Sequence, residues 1–345
     1  MKSTNPPAEE SGPVTVQQVA RAAGVSPATV SRILSGRKRV SPETREAVER
    51  AIAQLKFEPN VLAQSLKRGS SRTVGVLTQD VGSPFFSELL RGIESALEGT
   101  GYESLIASGH WKAADEVQRA RRLIARRVDG VVVLTGPLTD AQLLPLSEQV
   151  PIVSTSSRLR SPRAVGLMLD NEAGGYLATR HLLDLGHHRI AHIVGRRDHP
   201  DAEERLAGYR RALQEAGLPI DERLILEGDY TEASGVLALN RLLHSGAPFT
   251  AIFAANDQTA YGVRLALYRL NIRVPDDVSL VGFDDLPGSL YTTPPLTTVR
   301  QPLFEVGRMA AQAMLQLLEG KPVELSAPPL QLVVRETTRR LAAPA

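Results

Sequence analysis

The chain has no cysteine, which excludes a disulfide framework, thiolate ligation of zinc or an iron–sulfur cluster, and a cysteine nucleophile. No apolar run approaches the ~18 residues that a membrane span needs. The opening MKSTNPPAEESGP likewise has no apolar leader core. The chain therefore reads as a soluble, unexported, cytoplasmic protein without a membrane partner. A G-x-S-x-G elbow, a G-x-x-x-x-G-K loop and an H-E-x-x-H helix are also missing, so no enzyme is expected. His188 and His192 are four apart, but in a turn-to-strand segment where that spacing does not share a helix face, so neither a metal nor another cofactor is expected.

What is present is a chain of 345 residues, 42% apolar and 23% charged, too long for one core and too apolar for disorder. Its charge is unevenly placed. Residues 1–72 hold twelve Lys and Arg against six Asp and Glu, a balance of +6; the whole chain is +2, which leaves −4 for the rest. Concentrated positive charge suits phosphate neutralisation, although a solvated helical surface gives the same count.

The residue pattern between 14 and 57 bears on that choice. Thr15 and Gln18 form a capping box, after which Val16, Val19, Ala20 and Ala23 repeat at helical spacing until Gly24. Ser26–Pro27 starts a second helix with Val30, Ile33 and Leu34 on its apolar face, stopped by Gly36. Ser41–Pro42 starts a third, with Val48, Ile52 and Leu55, ended by Pro59. Ala20, Gly24 and Val30 then supply a small residue, a turn glycine and a core aliphatic at relative positions zero, four and ten. That is helix-turn-helix spacing. Arg21, Arg32, Arg37, Lys38, Arg39 and Arg45 surround it, so the unit points to double-stranded DNA, with Lys38 a candidate phosphate contact.

The run VTVQQVARAAGVSPATVSRILSGRKRVSPETREAVERAIAQLKFEPNVLAQSL resembles the headpiece of the lac-repressor (LacI/GalR) family in its GVS, ATVSR, VS, TR and PN elements. The resemblance implies a recognition helix carrying Ser26, Pro27, Ala28, Thr29, Ser31 and Arg32, with 27, 28 and 32 at base-reading positions. Arg32 can donate in a fork to guanine, whereas Pro27 and Ala28 offer only apolar contact, as to a thymine methyl. Thr15, Ser26, Thr29 and Ser31 fit phosphate positioning better. Ser35 departs from the family's common Asn. In NVLAQSL the resemblance implies a hinge helix that forms when two copies meet in the minor groove, with Asn60, Ala63 and Leu66 at its contacts and Leu66 as the wedge. The segment taken alone reads as an ordinary linker, because KRGSSR follows it.

From Thr73 the apolar runs TVGVL, YESLIAS, GVVVL, PIVST, AVGLM, RIAHIVG, LILEG, TAIFAAN and VSLVGF alternate with helical stretches. This reads as parallel α/β units, too many for one small sheet and enough for two. The resemblance continues through DNEAGGYLATRHLLDLGHHRIAHIVG, ERLAGYRRAL, AIFAANDQTAYGV, VPDDVSLVGFDDL and PPLTTVRQP to a type I periplasmic-binding-protein-like core with two lobes. The expected organisation is a tail at 1–13, a helix-turn-helix domain at 14–58, a hinge and linker at 59–72, and a core at 73–337. Its first lobe would be about 73–168 and 300–329, its second about 169–299 and 330–345.

The resemblance also implies an effector in the interlobe cleft. Phe85 and Phe86 would stack on a ring, and Arg205, Asn256, Asp284 and Gln301 would make the polar contacts. Without it, the phenylalanines read as core and the polar residues as surface or cap residues. The family's acidic residue after the fourth strand is replaced by Ser154–Thr155–Ser156–Ser157, which leaves Ser156 as a weaker candidate contact. His110 and the single Trp111 follow the second strand and either face the cleft or serve packing. The function expected is a homodimeric repressor on a pseudo-palindromic operator, switched by a small molecule. A sugar or sugar phosphate is favoured, with a purine or other metabolite second. A solute-binding protein without DNA affinity has the same core, but would call for a leader peptide and no headpiece.

Overall fold

The structure, a computed structural model, describes residues 14–34, 40–58 and 69–341. It divides into two compact units, 1–71 and 72–345.

In the first unit, α1 (Val16–Ala22) opens with the reciprocal cap: Gln18 N–H donates to Thr15 Oγ1 at 3.3 Å, and Thr15 N–H donates to Gln18 Oε1 at 2.7 Å. Gly24 turns the chain at φ +67°, a value that costs a residue with a Cβ about 1–2 kcal/mol. Then α2 (Pro27–Leu34) begins where Ser26 Oγ accepts from Thr29 N–H. Val19, Ala20, Val30, Ile33, Val48, Ala51 and Phe57 bury one another, so each helix gives its apolar face to a shared core. The third helix, α3 (Pro42–Leu55), stops earlier than Pro59. Lys56 adopts the left-handed conformation at φ +48° and donates its N–H back to Ile52 and Ala53, because Phe57 must fold back into the core. The proposed stop at Gly36 lies outside the described residues.

The second unit holds two six-stranded sheets. In the first lobe, β1 (Thr73–Thr78), α4 (Pro84–Leu97), β2 (Glu103–Ser108), α5 (Ala113–Ala125), β3 (Gly130–Val133), α6 (Asp140–Ser147), β4 (Ile152–Ser154), β5 (Arg160–Ser161) and β6 (Ala164–Gly166) follow in chain order. The second lobe runs through α7 (Asn171–Asp184), β7 (Ile190–Ile193), α8 (Pro200–Glu215), β8 (Ile225–Leu226), α9 (Glu232–His244), β9 (Ala251–Ala254), α10 (Asp257–Arg269), β10 (Ser279–Asp284) and β11 (Thr297–Arg300). The chain then returns to the first lobe as α11 (Leu303–Leu318) and ends in the second with β12 (Gln331–Val333). Strand orders are β2-β1-β3-β4-β6-β5 and β12-β11-β10-β9-β7-β8. Pairing is parallel except for β5 on β6 and β12 on β11.

Alternation along β1 sends Val74 and Val76 to a cluster with α4 and α11, and Leu77 to a cluster with α5 and α6. Both faces of the sheet are thus covered. Three helix pairs cross through reciprocal glycines: Gly92 and Gly307, Gly175 and Gly208, Gly235 and Gly262. A Cβ at any of these six would fall on backbone of the partner helix. The strand C-termini of both sheets face a common cavity.

Candidate effector cavity and DNA-binding face

On α2, Pro27, Ala28 and Arg32 are exposed together, while Val30 and Ile33 point inward. Positions 28 and 32 share one face by helical periodicity, so the base-reading candidates form a single surface. The hydroxyls of Ser26 and Thr29 lie 2.9 Å apart and Thr15 serves its own capping box, so these three side chains are engaged inside the unit. Lys38, Asn60, Ala63 and Leu66 lie outside the described residues.

In the second unit, a cavity with about 390 Å³ of empty space is lined by Ser83, Phe85, Phe86, Trp111 and Thr135 from the first lobe, and by His199, Asp201, Arg205, Tyr230, Asn256, Gln258 and Asp284 from the second. Nearly all follow strand C-termini, where sites in such sheets collect. Arg205 is only 3% exposed; its Nε donates to Asn171 Oδ1 at 2.9 Å and its Nη1 to Ala255 O at 2.6 Å. Its guanidinium lies 3.8 Å above the Phe283 ring, which fixes the plane of the fork. Asn256 caps α10 through Thr259 N–H and donates Nδ2 to Tyr230 O at 3.1 Å, so it both caps and lines. Asp284 accepts from Gln301 Nε2 at 2.6 Å. Burial pushes its carboxyl well above the usual range, opposed by nearby Arg205. Asp257 beneath it accepts from Leu286 N, Ser289 Oγ and Thr298 Oγ1, and burial raises it to about 6.

Aromatic rings from both lobes complete the lining. Trp111 packs edge-on to His199 at 5.2 Å and stacks over Tyr230 at 6.3 Å, with Phe86 edge-on at 6.1 Å. These contacts, with Ser83 Oγ donating to Gln258 Oε1 at 3.0 Å, join the two lobes across the cavity. His199 Nδ1 accepts from Asp201 N–H at 3.3 Å, which puts the ring proton on Nε2. Burial lowers its pKa, so the ring is a neutral donor. Rings stack on rings or on C–H faces, while Arg205, Asn256 and the carboxylates bind paired polar groups.

Comparison with known proteins now bears on both surfaces. Residues 15–60 match the model for bacterial regulatory proteins of the lacI family, and residues 179–338 match a periplasmic binding protein-like domain. The HTH-type transcriptional repressor PurR of Vibrio parahaemolyticus is 36% identical over 331 residues, 95% of this chain and 99% of that protein. The chain belongs to the lacI family. Among solved structures, the lac repressor dimer bound to operator and the anti-inducer ONPF matches with a TM-score of 0.85 at 32% identity, covering 95% of this chain and 100% of that one. The transcriptional regulator CelR in complex with cellobiose matches at 0.69 and 34%, covering 94% and 99%.

As a lacI-family member, the chain is a DNA-binding transcriptional repressor with an effector-binding domain, and not an enzyme. Among the described residues there is no group of three potential metal ligands, and no helix is long and apolar enough to cross a membrane. Phe85, Phe86, Arg205, Asn256 and Asp284 all line the cavity. Gln301 lines an adjoining one, from which it holds Asp284. Ser156 lines neither. Thr155, in the bend that follows β4, lines the adjoining cavity instead and accepts from Thr135 N–H at 3.0 Å. His192 is buried between Phe253 and Tyr209 as a core residue. Sequence reasoning missed His199, Asp201 and Tyr230. Their signal was position: His199–Pro200 caps α8 after β7, and Tyr230 follows β8.

Proposed function

We propose that this repressor acts as a homodimer on a pseudo-palindromic operator and is switched by an unphosphorylated sugar in the interlobe cavity. The observation that carries the effector class is the lining itself, in which aromatic faces meet Asp201, Asp284 and Asn256, and Arg205 is the only Lys or Arg. Two of that guanidinium's nitrogens are already engaged, so there is no surplus of positive charge to take up a phosphate dianion. Hydroxyl groups, which donate and accept, satisfy such a set. That CelR is solved with cellobiose supports the same class. A purine is the second reading, because Trp111 and Tyr230 offer ring faces.

Titration calorimetry against neutral sugars, their phosphates and purine bases tests this reading, and tighter binding of the phosphates would overturn it. Asp284→Ala is expected to cost about 1.5–3 kcal/mol of effector affinity, roughly 10- to 150-fold, by removing a buried, hydrogen-bonded carboxyl from the lining. Operator binding should stay within a few-fold. Full effector affinity in that variant would remove Asp284 from the site. By linkage, whichever ligand lowers operator affinity binds more weakly to the operator-bound dimer by the same factor.

For the dimer, support comes from Leu265, Tyr268 and Leu270 at the end of α10 and from Leu290 and Tyr291, all large, apolar and exposed, with Tyr268 at 76%. Tyr261 on the same helix bonds Ser289 at 2.8 Å, which ties α10 to the segment that carries Leu290 and Tyr291. A second copy of the chain would cover them and present two α2 helices to two half-sites. Selection from random duplexes should therefore return an inverted repeat. On that repeat Arg32→Ala should lose about 1–3 kcal/mol confined to one base pair per half-site. Equal losses on selected and random DNA would contradict base reading by Arg32. Lys38 as a phosphate contact, and Asn60, Ala63 and Leu66 as minor-groove contacts, belong to the same proposal, as does action at chromosomal DNA in the cytoplasm.

A further inference from the structure

Behind the aromatic wall lies a polar group that the cavity does not use. Glu116 on α5 is fully buried, and neither carboxyl oxygen has a hydrogen-bond partner. Gln79, just past β1, is equally buried, and its Nε2 is also unpartnered. The two sit together because Gly109 and Gly136 make room. A Cβ on Gly109 would strike the Glu116 side chain, and one on Gly136 would strike Gln79 Nε2 and lie 3.0 Å from Glu116 Oε2.

The other end of the same carboxamide holds the tryptophan. Gln79 Oε1 accepts from Trp111 N–H at 2.8 Å, and Gln79 O accepts from His110 N–H at 3.2 Å. His110 and Trp111 both take left-handed φ, +56° and +60°, which residues with a Cβ adopt only when the surroundings hold them there. The Trp111 turn is thus held through the Gln79 side chain. Because Oε1 is committed to Trp111, the Gln79 amide must turn its donor nitrogen toward Glu116.

We propose that Glu116 is a proton-operated positioning residue that sets Trp111 against the cavity through Gln79. An ionised carboxylate only accepts, and so matches the Gln79 nitrogen and keeps the amide oriented toward Trp111. A protonated carboxyl carries an O–H that can instead donate to Gln79 Oε1. Doing so competes with the Trp111 N–H, and the strained turn loses its tether. Burial raises the Glu116 carboxyl to about 7, with Gln79 opposing, so both forms are populated near neutrality. The ionisable residues on the surrounding segments are Asp80 after β1, His110 after β2, Lys112, Asp115 and Arg119 on or beside its own helix, and Asp140 on α6. Glu103 and Asp129 stand at the far ends of the neighbouring strands. None of these displaces Glu116, whose shift comes from burial and Gln79 alone.

The inference needs no identified effector, because Trp111 is the only tryptophan in the chain. Acrylamide quenching of the ligand-free, full-length protein, followed from roughly pH 5.5 to 8.5, should rise as the pH falls, with a one-proton midpoint near the Glu116 value of about 7. Glu116→Gln should be flat and match the low-pH protein, since its amide, like the protonated carboxyl, carries a donor that competes for Gln79 Oε1. Gln79→Met should be flat and match the low-pH protein. His199 touches Trp111 and titrates as well, so His199→Gln is the control and should keep the transition. A wild type flat across the range, a transition that survives Glu116→Gln, or one that disappears in His199→Gln would each overturn the proposal. Stability gives an independent check. With the folded value raised from 4.5 to about 7, the stability that protonated Glu116 contributes is lost as pH rises through about 7, and Glu116→Gln should remove that slope.

Discussion

Arg205→Met should abolish the effector response, with affinity falling about 30- to 5,000-fold, the equivalent of about 2–5 kcal/mol for removing one member of a buried, hydrogen-bonded charge set. Three effects add. The fork aimed into the cavity disappears, Asn171 Oδ1 and Ala255 O lose their donors, and Asp284 loses the positive charge that counters its burial. Methionine fills much of the space over Phe283, so the loss is one of charge more than of packing. Calorimetry with the sugar selected by the wild type reads the effect, and a change below about tenfold, 1.4 kcal/mol, would mean that Arg205 is a purely structural residue. Lysine in its place should not rescue, because a point charge cannot reproduce two fixed bonds in one plane.

Gly262→Ala is expected to destabilise the second unit more than any cavity substitution. The added Cβ would fall on Glu232 O, and that oxygen belongs to backbone at the start of α9, which has no rotamer to move. Helices α9 and α10 would have to separate along a crossing where Gly235 meets Thr259 O in the same way. Overpacking usually costs about 1–3 kcal/mol, and a backbone clash belongs at or above the top of that range. Urea unfolding followed in the second unit should show the midpoint fall in proportion. A midpoint within error of the wild type would show that the crossing is looser than drawn.

Much of this was legible in the chain. Thr15, Ser26 and Ser41 announce three helices because a cap needs a short acceptor side chain, and Gly24 marks the turn because few other residues take φ +67° without strain. The strands were visible as aliphatic runs because parallel strands are buried on both faces. What escaped depends on partners distant in sequence. The third helix ends at Lys56 because Phe57 finds the core, a fact of packing that outranks the proline further on. Thr155, and not Ser156, reaches the adjoining cavity because the chain bends directly after β4, which no composition reveals. The Trp111 turn carries no glycine at its two left-handed positions, since Gln79, 32 positions earlier, supplies the restraint. The resemblance alone places Arg205 among the polar contacts; its burial against Phe283 and Asn171 is what the residue pattern could not show.

The reciprocal glycines bear on where motion can occur. A crossing in which backbone meets backbone has no side chain that can swing aside, so each of the three helix pairs is a stiff block, and so is the interior of each lobe around it. Any change in the angle between lobes must then be absorbed by the three segments that connect them: Leu167–Asp170, Gln301–Pro302, and the stretch from Glu319 to Leu330. Torsional compliance in this repressor is concentrated in a few backbone bonds, of which those at Gln301 adjoin the effector residues through Asp284. Sequence changes in the stretch from Glu319 to Leu330 would retune the sensitivity of the switch while leaving both of its recognition surfaces as they are.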